Sequence, residues 1–313
     1  MTSKETRGQL LRVVGTLASL GLLAYLVSQQ GWHEIWESIR RISIGRFLIV
    51  LGLVILSRLA VVGRWSALLW LSHLRIPLPQ ILRVTFAGMF ASNFLPTSVG
   101  GDIVRLAWTV GVPADRSKYA SSIAVDRLIG LVGMAMLLPV GLVQVLGPGA
   151  VSSAGGLAPL VAGTVTPSRL LVRVRRALRG VLDLMGAWLS NPKALAVALG
   201  FTWIHMTLMF SSMSILYQAL GESLTFWQIG GLWSFVYFIS LFPISINSLG
   251  LMEVSAGLVY SSIGGAAVSS ALTVALLKRT AELLASSPGV LSLPGVLALI
   301  RRPAVSERTG ASE

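Results

Sequence analysis

Two stretches of this chain set carboxylates, prolines and glycines inside strongly apolar surroundings: NFLPTSVGGDIVR at 93–105 and FPISINSLGLME at 242–253. In the first, Asp102 and Arg105 are three residues apart, so on a helix they share a face and can pair. Pro96 ends the limb before them, and Gly100 and Gly101 permit tight backbone turns. The limb that starts near Val99 also turns free backbone N–H groups toward an anion. The second stretch repeats the order: Pro243, one residue, Ser245, then an apolar residue. It passes Asn247 and Gly250 and ends in Glu253, the counterpart of Asp102. Two more charged pairs stand in apolar segments: Asp126 with Arg127, and Arg279 with Glu282, the latter three apart and expected to pair. Guanidinium groups match phosphate oxygens with a planar fork of donors, so this chemistry suits binding of an anionic or phosphate-bearing group.

Catalytic alternatives find little support in the same residues. Gly101-Asp102 is similar to the glycine-aspartate motif of intramembrane aspartyl proteases, but those need two cooperating aspartates. The other transmembrane candidate here, Asp126, stands beside Arg127. No Ser–His pair or His-rich metal cluster is evident in the sequence, and His33, His73 and His205 lie far apart. There are no cysteines, which excludes disulfides and thiolate metal sites. The expectation is therefore no enzyme, no metal, no cofactor and no nucleic-acid partner.

What must position these residues is a bundle of helices in lipid. The 313 residues are 54% hydrophobic and only 12% charged, with mean hydropathy +0.78. An ordinary soluble domain carries about a quarter charged residues. Recurrent apolar runs of near-spanning length define an all-α polytopic transmembrane bundle, because backbone in lipid must satisfy its own hydrogen bonds. The net charge of +13 fits cytoplasmic loops obeying the positive-inside rule, or an affinity for anionic headgroups.

Along the chain, an uncleaved first span is expected at 13–27 with its N-terminus in the cytoplasm. GWHEIWESIRRI follows as an interfacial helix. Further spans are expected at 47–71, at 120–146, around 157–165 and at 194–220. An arginine-rich amphipathic helix at 169–182 should lie on the cytoplasmic leaflet. The stretch 266–300 reads as one kinked span or two, and Arg301 and Arg302 favour a cytoplasmic end. Residues 1–302 form the membrane domain and 303–313 a disordered tail. Arg58 and Arg64, costly in lipid, should face the bundle or snorkel, and rank below the two breaks as site candidates.

The breaks themselves are short-limbed. Residues 81–95 would reach about 22 Å as a helix, against about 30 Å of hydrocarbon. Each break therefore reads as a re-entrant hairpin or a broken spanning helix, with non-helical backbone buried in protein or lining a wet cavity. Three crossings between them would insert the second from the opposite side, the pattern of an inverted repeat with a midplane site.

The order NFLPTSVGGDIVR, then AVDRLIGL, then PISINSLGLMEVSAG resembles the lysylphosphatidylglycerol synthase transmembrane region, a flippase-like membrane family, over about residues 10 to 300. The resemblance implies a helical bundle with re-entrant segments. It also implies site clusters at Asn93, Pro96, Gly100, Gly101, Asp102 and Arg105, at Asp126 and Arg127, at Pro243, Ser245, Asn247, Gly250 and Glu253, and at Arg279 with Glu282. Arg105 is expected to meet lipid phosphate, with Asp102 orienting it. The best-known member moves aminoacylated phosphatidylglycerol between leaflets and carries a soluble aminoacyl-transferring domain after its membrane region. This chain runs only eleven residues past Arg302, so it is expected to lack that domain. The second break departs from the family's more glycine-rich form, with Asn247, Ser248 and Leu249 before Gly250.

The functional expectation is a flippase in the cell membrane that moves an anionic or phosphate-bearing lipid. The alternatives are a non-transporting accessory subunit for lipid modification and, further off, a membrane-embedded enzyme. The protein partner would be a second copy of the chain or a lipid-modifying enzyme.

Overall fold

The computed structural model describes residues 14, 17–18, 20–25, 28, 32–74, 76–93, 100–109, 116–146, 191–241 and 248–301. Among them there are eleven helices and no strand, with further helical residues at 20–25 inside the expected first span. The expected segment around 157–165, the amphipathic helix at 169–182 and the tail at 303–313 lie outside the described residues, as do Pro96, Pro243, Ser245 and Asn247.

Helix α1 (Trp32–Arg41) is the short amphipathic segment, with Ile35 buried and Trp36 exposed beneath the Arg40 guanidinium. It leads into α2 (Ile44–Leu71), a 28-residue apolar helix capped by the Ser43 hydroxyl, which accepts from the Arg46 amide. The first break separates α3 (Leu78–Ser92) from α4 (Gly100–Thr109). Then come α5 (Arg116–Ala135) and α6 (Leu138–Leu146). The second half opens with α7 (Pro192–Ala219), again 28 residues. The Asn191 amide there donates to the Leu71 carbonyl and so ties the start of α7 to the end of α2. Helix α8 (Phe226–Ser240) starts in a capping box of Thr225 and Gln228. The second break precedes α9 (Leu251–Ser262), followed by α10 (Val268–Ser286) and α11 (Gly289–Arg301).

Three described stretches are long and apolar enough to cross a membrane: Ile44–Leu71, Ser117–Val145 and Pro192–Ala219. Large apolar side chains such as Ile44, Leu48, Ile49 and Leu56 of α2 stand exposed, as a lipid-facing surface requires. The expected span at 120–146 is not one continuous helix: a turn at Met136 and Leu137 divides it. Pro139 explains the break, because its ring blocks the carbonyl one turn back and it has no N–H to donate. Pro288 divides α10 from α11 in the same way, so the stretch 266–300 is two helices.

The two halves are built in the same series. Helices α2 to α5 contain 28, 15, 10 and 20 residues; α7 to α10 contain 28, 15, 12 and 19. Their packing is reciprocal. Helix α2 packs on α7; α5 packs on α7 while α10 packs on α2; α6 lies against α8 while α11 lies against α3. Glycines make both of the last crossings close, Gly141 against Gly231 and Gly289 against the Phe86 carbonyl. The core divides accordingly. Trp65 and Leu69 of α2 pack with α3, α4 and α5, whereas Val50 and Val54 of α2 join α7 to α10.

The helices that flank each break pack against one another. A Cβ on Gly101 would come within 2.7 Å of the Gly88 carbonyl oxygen, so α3 and α4 cross with backbone nearly touching. At the second break the Ser248 hydroxyl donates to the Ser240 carbonyl at 2.8 Å and satisfies the end of α8. Gly250, with φ of +76°, then turns the chain into α9, a conformation that favours glycine.

Candidate functional site

A cavity of about 380 Å³ lies between the halves, walled by residues of α2, α3, α4, α5, α7, α8, α9 and α10. Its described lining holds five arginines (Arg58, Arg64, Arg105, Arg127 and Arg279) against two aspartates, Asp102 and Asp126. Such a wall favours an anion. The charges fall into two clusters.

At one end, Asp126 of α5 is buried between two arginines of other helices. Arg64 Nε of α2 donates to Oδ1 at 2.6 Å, and Arg105 Nη1 of α4 donates to Oδ2 at 3.0 Å. Arg64 also reaches the Thr202 hydroxyl of α7 at 3.4 Å, and Gly130 leaves room for its guanidinium. The Arg105 guanidinium stacks 4.7 Å from the Trp65 ring, whose indole N–H donates to the Ser122 hydroxyl. Asp102 takes its hydrogen bond from Arg127 Nε and stands 3.8 Å from Arg105. The expected Asp102–Arg105 pair is thus the weaker contact. Three residues on one helix leave the carboxylate and guanidinium farther apart than helix packing leaves Arg105 from Asp126.

At the other end, the expected pairing of Arg279 with Glu282 gives way to different partners. Glu282 accepts from Lys278 Nζ at 2.9 Å, one turn back on α10, and pairs with Arg58 Nη2 of α2 at 3.1 Å. Position i+4 overlies position i more closely than i+3, and Arg58 approaches that same face. Lys278 Nζ sits 4.2 Å over the Trp233 ring. Arg279 turns instead toward Glu253 of α9, at 3.9 Å, too long for a hydrogen bond. Among the described residues, Arg279 Nε and Nη2, Glu253 Oε2 and Arg58 Nε are buried without hydrogen-bond partners.

Of the residues expected from sequence, Gly101, Asp102, Arg105, Asp126, Arg127 and Arg279 line the cavity. Glu253 and Glu282 stand behind its wall, around a small adjoining void that Arg279 also borders. Asn93 lies outside the lining. Its amide donates to the Ser286 hydroxyl of α10 at 3.0 Å and joins the first break to the second half. Gly100 and Gly250 stand at the starts of α4 and α9.

Sequence reading underrated Arg58 and Arg64 and passed over Lys278, Trp65 and His205. It also missed a Ser–His contact: Ser57 Oγ and His205 Nδ1 are 2.6 Å apart across 148 residues. Charge inside an apolar run was the available signal for the cations. A pair so far apart along the chain leaves none.

These features define a helical membrane protein with a charged internal cavity between two structurally similar halves. The chain belongs to the family described as the lysylphosphatidylglycerol synthase TM region, whose model matches residues 12–288. No curated protein matches it.

Proposed function

We propose that this protein moves an anionic or phosphate-bearing lipid between the leaflets of the cell membrane and performs no chemistry on it. The carrying observation is the cavity wall, where five arginines face two aspartates between helices that flank both breaks. A headgroup would enter this cavity while its acyl chains stay in lipid.

The two breaks act as re-entrant hairpins of an inverted repeat. Helices of 15, 10 and 12 residues reach about 22, 15 and 18 Å, each short of about 30 Å of hydrocarbon. Matching helix lengths and reciprocal packing support a two-fold relation of the halves. The charged pairs follow it too. Asp102 meets Arg127 25 residues on, and Glu253 faces Arg279 26 residues on; each joins the helix after a break to the next helix. Transport is then a rocking of one half against the other around the site. The N-terminus is assigned to the cytoplasm by its basic residues Lys4, Arg7 and Arg12. Residues 1–302 act as one membrane domain.

The test is the purified chain in vesicles that contain fluorescent phosphatidylglycerol, with a membrane-impermeant quencher added outside. Transport makes inner-leaflet lipid quenchable. Quenching that stops at the outer-leaflet share in protein-containing vesicles would reject the proposal in favour of an accessory subunit.

A further inference from the structure

We infer that Arg279 is the cation that takes the phosphodiester of the bound lipid, while Arg64 and Arg105 hold the cavity's shape. This rests on the transport reading for the identity of the ligand as a lipid, and names the group within the cavity that grips it.

The five cavity arginines are not equally engaged. Arg64 and Arg105 are hydrogen-bonded to opposite oxygens of one buried carboxylate, and Arg105 is stacked on Trp65 as well. Arg127 is hydrogen-bonded to Asp102, and Arg58 is paired with Glu282 at 3.1 Å. Arg279 alone among these five has its nearest carboxylate beyond hydrogen-bond reach, at 3.9 Å.

The atoms left over are also the right ones. Nε and Nη2 form one edge of the guanidinium, the edge that presents two parallel N–H donors. Both lack partners in Arg279 among the described residues, and Oε2 of the facing Glu253, whose Oε1 is the oxygen 3.9 Å from Nε, lacks one too. A buried, unsatisfied charged edge is costly, and native structures keep such groups where a ligand completes them. Two non-bridging oxygens of a phosphodiester fit that edge. Arg279 borders both a void of about 10 Å³ that Glu253 also lines and the main cavity. For the phosphodiester to be gripped, rotation about the long Arg279 stem would bring this edge into the cavity.

The geometry also separates this role from a general attraction of positive charge. Removing Arg64 or Arg105 takes one of two charge-assisted hydrogen bonds from the buried Asp126 carboxylate and loosens the bundle. Removing Arg279 breaks no hydrogen bond among the described residues but takes from the buried Glu253 its nearest cation, at 3.9 Å, so a modest loss of stability goes with it.

The experiment measures binding of dihexanoyl-phosphatidylglycerol, and of its deacylated headgroup glycerophosphoglycerol, to the purified full chain in detergent. Thermal unfolding of each variant is followed alongside. Arg279→Gln is expected to weaken binding of the lipid about ten- to a hundredfold while the chain still unfolds cooperatively, at a Tm lowered modestly by the loss of the cation nearest Glu253. Arg279→Lys should fall between, since an ammonium keeps the charge without the fork. Arg83→Gln, an exposed charge on α3, is the control for bulk charge. Weakening of both probes identifies the phosphodiester as the recognised group, and weakening of the lipid alone identifies the intact lipid. Wild-type-like binding by Arg279→Gln overturns the inference, as does absence of binding of both probes to the wild type. Vesicle transport separates the two readings. Retained transport in Arg279→Gln sinks this assignment and leaves transport standing, whereas Arg279-dependent binding without wild-type transport does the reverse.

Discussion

Ser57 and His205 occupy the same place in two matching helices. Each is the fourteenth residue of a 28-residue helix, and their side chains meet at 2.6 Å where α2 crosses α7. The contact lies at the middle of helices about 42 Å long, where the proposed two-fold relation between the halves would have its axis. His205 also forms part of the cavity wall, while Ser57 stands buried behind it. The serine holds the imidazole in place.

That contact predicts a measurable coupling. Ser57→Ala, His205→Ala and the double variant, unfolded reversibly in mixed micelles, should give an interaction energy of about 0.6–1.7 kcal/mol, the range seen for helix-to-helix hydrogen bonds in membranes. Strict additivity of the two single variants would show that the pair contributes nothing.

Asp126 should be the most sensitive charged position. It alone neutralises Arg64 and Arg105 at hydrogen-bond distance, so Asp126→Asn leaves two guanidiniums without their carboxylate. The expected loss is about 3–5 kcal/mol in the same unfolding assay. Adding Arg64→Met and Arg105→Met should recover much of it, because the triple replacement leaves no buried charge stranded.

The first break depends on a glycine for space. Gly101→Ala would drive a methyl group into the Gly88 carbonyl, a backbone atom that cannot step aside without parting α3 from α4. About 1–3 kcal/mol of destabilisation is expected. Gly200 of α7, which has nothing within 4 Å of its missing Cβ, supplies the contrast. Gly200→Ala should be neutral or stabilise by about 0.5–1 kcal/mol. Equal effects at both sites would argue against the close crossing.

The proposed topology can be read with single cysteines, since the chain has none of its own. Gln80→Cys before the first break and Ser223→Cys before the second are both exposed. An inverted repeat places them on opposite faces of the membrane. An impermeant maleimide added to one side should therefore label one and spare the other until the membrane is opened. Labelling of both from the same side would remove the inversion.

Much of the architecture was legible from residue order. The apolar runs at 47–71 and 194–220 correspond to α2 and α7 within a few residues. The aromatic and arginine spacing of GWHEIWESIRRI marked α1, and each Pro-to-Gly stretch fell between two short helices. The failures were equally physical. At 120–146 hydropathy continues unbroken through Pro139, so composition concealed a turn that one missing N–H creates. Arg279 and Glu282 looked like partners because they are neighbours in sequence. Arg58 arrives from a helix more than 200 residues away and takes the glutamate.

By itself, then, the sequence determined that the chain is helical, that it belongs in lipid and where its two Pro–Gly interruptions fall, because hydropathy and backbone freedom are properties of residues and their near neighbours. Only the tertiary structure decided which charges meet. Arginine and glutamate side chains reach partners on any helix packed alongside, and that choice is set by how the halves dock. Asp126 between Arg64 and Arg105, and Glu253 facing Arg279, exist as contacts only once α2, α4, α5, α9 and α10 have come together.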